Sequence, residues 1–416
     1  MMTIKRLTVA FLMLLPLAWA SFADASPSST LLKTIDAELL AYMSTWEKMV
    51  NIDSGTGDAK GLSKMEAVIV QHLNDLGALV ETVPAKPSVG NNIVGTFKGT
   101  GNKRIMLMIH YDTVFQEGDA AKRPFRIDGK RAFGPGVADA KGGLALILYA
   151  IKVFQDLNFT GYGSLTVFFN PDEEESSIGS RSLIQKLSAE QDYVLSYEPP
   201  DRDIVTVATN GIARVHLTVR GLASHAGSAP EKGRNAAIEL AHQLLQLNDL
   251  GDPSKGTTVN WTVVRAGEKV NIIPAEARAI ADMRLSQFSE LPRVQLQAEK
   301  IIQKHFVPGT EVTVEVEKRR PPLPRNRASE ALAEKAKRIG LEIGYDIEPA
   351  AMRFGTDAGF AYNPVTKKPT VLETMGIVGK RIHSPDEIAE IDSIIPRLYL
   401  TVRMVQELSG TRQKNH

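Results

Sequence analysis

Apolar positions in the first half of this chain recur in two alternating modes. Thr34 to Val50 and Gly61 to Leu76 repeat at helical spacing, with Met65, Ile69 and Leu73 on one face of the second. Asn92 to Phe97, Arg104 to His110, Ser164 to Phe169 and Tyr193 to Tyr197 are instead short runs rich in apolar, β-branched and aromatic residues. Arg104 to His110 is nearly all apolar, which suits a strand covered on both faces of a sheet. Helical spacing returns between these runs, over Gly142 to Leu157 and Ser180 to Leu187. Strands alternating with helices predict an α/β fold built on a doubly wound, mostly parallel sheet.

The pattern changes at Gly211. Ala213, Val215, Leu217 and Val219 alternate with polar residues, the two-residue period of a half-exposed strand. A helix over Asn235 to Leu250, strands over Thr257 to Arg265 and Ala277 to Arg284, a helix over Ser289 to His305 and a strand over Glu311 to Glu317 follow. That order, β-α-β-β-α-β, is the ferredoxin-like α+β arrangement. Pro321-Pro322-Leu323-Pro324 closes it like a linker. A helix at Ala328 to Ile339, a strand at Thr370 to Glu373 and a helix at Ile391 to Leu408 then resume the first pattern. The expectation is one α/β domain, residues 26–210 and 322–416, interrupted by a smaller unit at 211–321. The polar end from Gly410 reads as a frayed tail.

Composition narrows the function. A chain of 416 residues is long for one core and agrees with two domains. With 43% hydrophobic and 23% charged residues, it reads as soluble and globular. A net charge of +1 without long basic runs gives no footprint for nucleic acid or an anionic membrane surface. There is no cysteine, so disulfides and thiolate metal sites are excluded and any metal is held by nitrogen and oxygen. Lys5 and Arg6 precede an apolar stretch, Leu7 to Ala20, and two Ala-x-Ala sites. The stretch is shorter than the roughly 20 residues of a helical span, so residues 1–25 read as a cleaved export signal rather than an anchor. A periplasmic or secreted protein is expected.

Five residues carry the candidate chemistry. His110 ends an apolar run, Asp139 lies in a glycine-rich turn, Glu174 and Glu198 follow apolar runs, and His383 lies in RIHSPDE. Carboxyl ends of strands in an open α/β sheet are where functional side chains gather. Singly, each signal is weak: a His at a strand end is most often structural, and an acidic run such as Asp172 to Glu175 is most often a solvated turn. Together, two His and three carboxylates supply ligands for two divalent ions. Asp139, flanked by glycines, is the expected bridge. His110 and Glu198 would complete one ion's shell, and Glu174 and His383 the other's. Glu173, adjacent to a ligand, is the expected general acid/base. Asp112 is placed to fix the His110 tautomer.

These residues sit in the peptides HYDTV, GPGVADAKGG, NPDEEE, LSYEP and SHAGSAPEKGRNA, in that order. The set resembles the aminoacylase and glutamate-carboxypeptidase family of dizinc peptidases, and among them the bacterial folate-cleaving glutamate carboxypeptidases. The resemblance covers essentially the whole chain after residue 25. It implies a catalytic domain that binds two zinc ions, a dimerisation or lid domain, and the same ligand set. It implies that His225 reaches the partner subunit's site in a homodimer and polarises the scissile carbonyl. It further implies that Arg284 and Asn271 hold a substrate carboxylate and that Arg320 meets a glutamate side chain. The implied activity is release of a C-terminal amino acid, foremost glutamate, from N-acyl or peptidyl small molecules. An aminoacylase, deacetylase or dipeptidase of the same family is the alternative, and a catalytically dead binding protein a remote one. Some positions depart from the pattern. Ile204 stands where relatives place a lysine, with Arg202 nearby as a substitute. Ala140 follows Asp139 where many relatives have an acid, and Arg353 and Phe354 stand where glycines are common.

Overall fold

The computed structural model describes residues 27–410, so the signal-like segment and the residues after Gly410 lie outside the described part. Helices α1 (Ser29–Val50) and α2 (Ala59–Asp75) lead into strands β1 (Leu79–Pro84), β2 (Asn91–Lys98) and β3 (Arg104–His110). Side chains start both helices: Ser28 accepts from the Leu31 amide, and Asp58 accepts from those of Lys60 and Gly61. Helix α3 (Lys141–Asp156), strand β4 (Ser164–Asn170), helix α4 (Arg181–Ser188) and strand β5 (Tyr193–Ser196) follow. Next come β6 (Gly211–Arg220), α5 (Ala236–Gln246), β7 (Thr258–Ala266), β8 (Glu276–Leu285), α6 (Glu290–Ile301) and β9 (Glu311–Arg320). Helix α7 (Arg327–Leu341), strand β10 (Thr370–Leu372) and helix α8 (Ile394–Leu408) complete the frame.

The large sheet has the order β1-β2-β4-β3-β5-β10. β4, β3, β5 and β10 pair in parallel, and β2 runs against both its neighbours. The expected α/β fold is therefore present, on a mixed sheet in which one strand is reversed. The apolar runs are apolar because both faces are covered. Ile105, Leu107 and Ile109 of β3 join the cluster that includes α1, α2, α3 and α8, while Met106 and Met108 face the one that includes Ile184 of α4. Since β3, β4 and β5 are parallel, their carboxyl ends share one edge, with His110 opposite Asn170.

Residues 211–320 form a second, wholly antiparallel sheet of order β7-β8-β6-β9. Ala213, Val215, Leu217 and Val219 point to its covered face, where they pack with Leu240 of α5 and Val294 and Ala298 of α6. The last strand is longer than its pattern suggests. β9 continues past Glu317, shifts register between Lys318 and Arg320, and ends with Arg320 buried. Several strands escape the sequence pattern, and two of them, Ile204–Thr209 and Glu348–Met352, pair in parallel. The second of them contains Pro349 and alanines, poor strand formers held there by the partner strand.

Candidate metal centre

Asp139 divides its two carboxylate oxygens between two imidazoles. Oδ1 lies 3.1 Å from His110 Nε2, and Oδ2 lies 3.1 Å from His383 Nε2. Each imidazole nitrogen meets a further carboxylate: Glu198 Oε2 is 3.6 Å from His110 Nε2, and Glu174 Oε2 is 3.2 Å from His383 Nε2. The sheet edge supplies His110 and Glu198, and the turn after β4 supplies Glu173 and Glu174. Asp139 stands just before α3, and His383 lies in a loop with a left-handed backbone, φ 62°. All five expected ligand residues therefore converge.

The centre holds more buried negative charge than the protein itself neutralises. Asp139, Glu173 and Glu198 are buried, as is the side chain of Glu174. Burial and the nearby Asp139 charge push Glu174 up to about 8. Burial likewise raises Glu198 well above the carboxylate range, despite the opposing pull of His110. Hydrogen bonds to Asp139 and Glu174 push His383 up to about 11. Burial disfavours charge on His110, yet Glu198, Asp112 and Asp139 raise it well above its ordinary value. Glu174 Oε1 is buried without a hydrogen-bond partner. A buried acid with a free oxygen beside two imidazoles fits a cation. Ligand atoms of His110, Asp139 and Glu174 lie within 4.8 Å of one another, as do those of His110, Glu173 and Glu198. Nitrogen and carboxylate donors in this mixture suit zinc and also accept cobalt or manganese.

Supporting residues fix the geometry. Asp112 Oδ1 is 3.2 Å from His110 Nδ1, and its backbone oxygen is 3.0 Å away. Asp112 is held in turn by the Thr56 hydroxyl (2.6 Å) and the amides of Glu173 (3.1 Å) and Glu174 (3.2 Å). One carboxylate thus orients the imidazole and the acidic turn together. Glu387 is the contributor that sequence reading passed over. Its carboxylate is buried and accepts from the amides of Gly136 (3.1 Å), Ala138 (2.8 Å) and Asp139 (2.9 Å). It stands four residues after His383, so it ties the loop carrying one candidate ligand to the loop carrying another. An acid shortly after a ligand motif is its only sequence signal. A Glu387→Gln variant sets an amide NH2 against at least one of these backbone donors. Metal affinity is expected to fall about 10- to 100-fold, measured by competition with a chelator; unchanged affinity would refute the clamp.

The residues of the smaller unit are placed differently. Arg320 is buried against Glu173: its guanidinium pairs with Glu173 Oε1, donates to the Glu173 backbone oxygen, and donates to Gly355 O at 2.6 Å. Arg284 makes a two-point pair with Asp282, 2.8 and 3.0 Å. His225 is exposed, and its Nδ1 accepts from the amides of Gly227 and Ser228, both at 3.1 Å. A neutral ring so held carries its proton on Nε2. The backbone oxygen of Asn271 accepts from the Ala226 amide at 2.9 Å, fastening this loop. Among the described residues, no hydrogen bond or ion pair joins His225, Asn271 or Arg284 to the centre. Ile204 is buried in its strand, and Arg202 pairs at the surface with Asp201 at 2.8 Å.

Comparison with known proteins adds to this geometry. Residues 106–407 match the sequence model of peptidase family M20/M25/M40. Carboxypeptidase G2 of Pseudomonas sp. (strain RS-16) is 39% identical over 378 residues, covering 89% of this chain and 90% of that relative. The solved structure of aminopeptidase PepT from Bacillus cereus superposes with a TM-score of 0.73 at 22% identity, covering 89% of this chain and 98% of that one. The YXEP protein of Bacillus subtilis, described as a dinuclear metal binding peptidase, gives a TM-score of 0.68 at 14% identity, over 91% of this chain and 99% of the other.

Proposed function

Because the chain belongs to peptidase family M20/M25/M40, and is a metallopeptidase of that family, we propose that it is an exported dizinc carboxypeptidase that releases a C-terminal amino acid, foremost glutamate, from N-acyl or peptidyl substrates, folates included. One observation carries the reading: the divided carboxylate of Asp139, with one His and one Glu on each side. The likeness to carboxypeptidase G2 along nine-tenths of both chains supports the substrate class. The dinuclear metal site named for the Bacillus subtilis protein supports the stoichiometry. Among the described residues no helix is long and apolar enough to cross a membrane. Export rests on the signal-like segment 1–25.

His110 and Glu198 would hold one ion, Glu174 and His383 the other, and Asp139 both. Bound there, the pair would polarise the scissile carbonyl and make a water acidic enough to deprotonate near neutral pH. Glu173 takes the proton from the attacking water and returns it to the leaving nitrogen. Arg320 grips one oxygen of Glu173 and its backbone carbonyl, which leaves the second oxygen to handle the proton. Asp112 keeps His110 in the tautomer that presents Nε2 to the ion.

In this reading the segment 211–321 is a lid and dimerisation domain. His225, distant from its own chain's centre in its bonding, acts on a second copy. Its Nε2 proton stabilises the developing oxyanion there. Arg284 and Asn271 bind the substrate's terminal carboxylate, for which a guanidinium offers two parallel donors. His225→Ala is expected to lower kcat by about 10²- to 10³-fold with metal content and dimer intact. Co-expressing that variant with Glu173→Ala subunits should restore part of the activity, because one site of each mixed dimer is complete. Kinetics of the purified mixed dimer provide the check; no gain would remove the action in trans.

An aminoacylase, deacetylase or dipeptidase is the second reading. It is favoured by Ile204 being buried and Arg202 being tied to Asp201, which leaves Arg320 without a basic companion from that segment. Hydrolysis of one N-acyl group carried on Glu, Asp, Ala, Leu and Arg separates the readings: a marked Glu preference supports the first, and a flat or apolar preference the second. A dead scaffold is disfavoured because Glu173 and all five ligands are present.

A further inference from the structure

A cleft of about 410 Å³ opens beside the centre. Its walls are the loop after α1, with Gly55, Thr56 and Asp58, and the loop after β3, from Thr113 to Glu117. Glu174 and Glu175 close it. Two residues join it to the centre: Glu174 lines the cleft while its Oε2 meets His383, and Thr56 lines it while its hydroxyl meets Asp112. The size is within the range of small-molecule sites, about 300–1,000 Å³, and is ample for more than an acetyl group.

We propose that this cleft receives the acyl half of the substrate and selects for uncharged or cationic groups against anionic ones. The inference rests on the amide-hydrolase reading above and adds a charge rule to it. The lining includes Asp58, Glu117, Glu174 and Glu175 and no lysine or arginine. Cations do approach from outside it: Lys60 lies 3.7 Å from Glu117, and Arg319 lies 3.9 Å from Glu175. Both acids are largely exposed, so these pairs are screened and offset little of the charge. Thr56, Thr113 and Gln116 provide polar groups for an uncharged acyl group. Phe115 provides an apolar wall, with Arg123 lying 4.8 Å from its ring centroid.

Three glutamate conjugates of one shape test the rule: 4-carbamoylbenzoyl-, 4-amidinobenzoyl- and 4-carboxybenzoyl-glutamate, with the zinc-loaded protein. The neutral and cationic conjugates are expected to exceed the anionic one in kcat/KM by about tenfold at low salt, with the gap narrowing as ionic strength rises. A Glu117→Lys, Glu175→Lys double variant should shrink the gap, read as the ratio of kcat/KM between the neutral and the anionic conjugate. An equal or better anionic conjugate, or a gap that the double variant does not alter, would overturn the inference and leave the hydrolase reading intact. If none of the three is hydrolysed, the glutamate preference fails instead. Binding of the same conjugates to zinc-loaded Glu173→Ala protein, by calorimetry, then still decides the charge rule: the same order supports it and equal Kd values reject it.

Discussion

Glu173→Ala is expected to lower kcat by about 10²- to 10⁴-fold, some 3–5 kcal/mol of barrier, while the protein keeps its full metal content. The expectation follows from where Glu173 stands. It is adjacent in sequence to Glu174, which faces His383, yet its own carboxylate is engaged by Arg320 rather than by either imidazole. Ligand atoms of Glu173, His110 and Glu198 nevertheless lie close enough to share an ion. Metal content of the variant therefore separates two roles. Two ions per chain with turnover lost makes Glu173 the proton carrier; one ion lost makes it a ligand. Glu173→Gln keeps the shape and the Arg320 contact, so it should be as inactive as the alanine variant and better folded.

Asp139→Ala is expected to have the broader effect, with both ions bound weakly and activity absent at ordinary zinc concentrations. Removing any other candidate ligand is expected to weaken one side of the centre, whereas Asp139 contacts both imidazoles at 3.1 Å. Its backbone amide is also held by Glu387, so the side chain is oriented from beneath. Metal analysis after dialysis, beside Glu198→Ala, gives the comparison. The account requires Asp139→Ala to lose more zinc than Glu198→Ala; equal losses would deny the bridge. Circular dichroism of both variants checks that the fold survives, as expected when the change unloads a centre at the sheet edge and leaves the apolar cluster between sheet and helices untouched.

Much of the frame was legible in the sequence because burial writes its own pattern. Arg104 to His110 is a continuous apolar run because both faces of β3 are covered, and Ala213 to Val219 alternate because one face of β6 is. The candidate ligands were legible for a related reason: polar residues stand where buried strands end. Reversal of β2 was not legible, since a strand's direction leaves no trace in its hydrophobic period. Nor was the pair Ile204–Thr209 and Glu348–Met352, where pairing overrides weak local propensity. Arg320 shows the limit most clearly. A register shift near the end of β9 brings it to Glu173, and no local pattern encodes that meeting. The Arg284–Asp282 pair was in principle visible, because residues two apart on a strand share a face.

The most direct test is a zinc titration of the chelator-stripped protein, following glutamate release from an N-acyl-glutamate and from folate. The account predicts no release without metal and a rise that levels off at two zinc ions per chain. Release by the stripped protein, or none from any N-acyl amino acid with both ions bound, would contradict it.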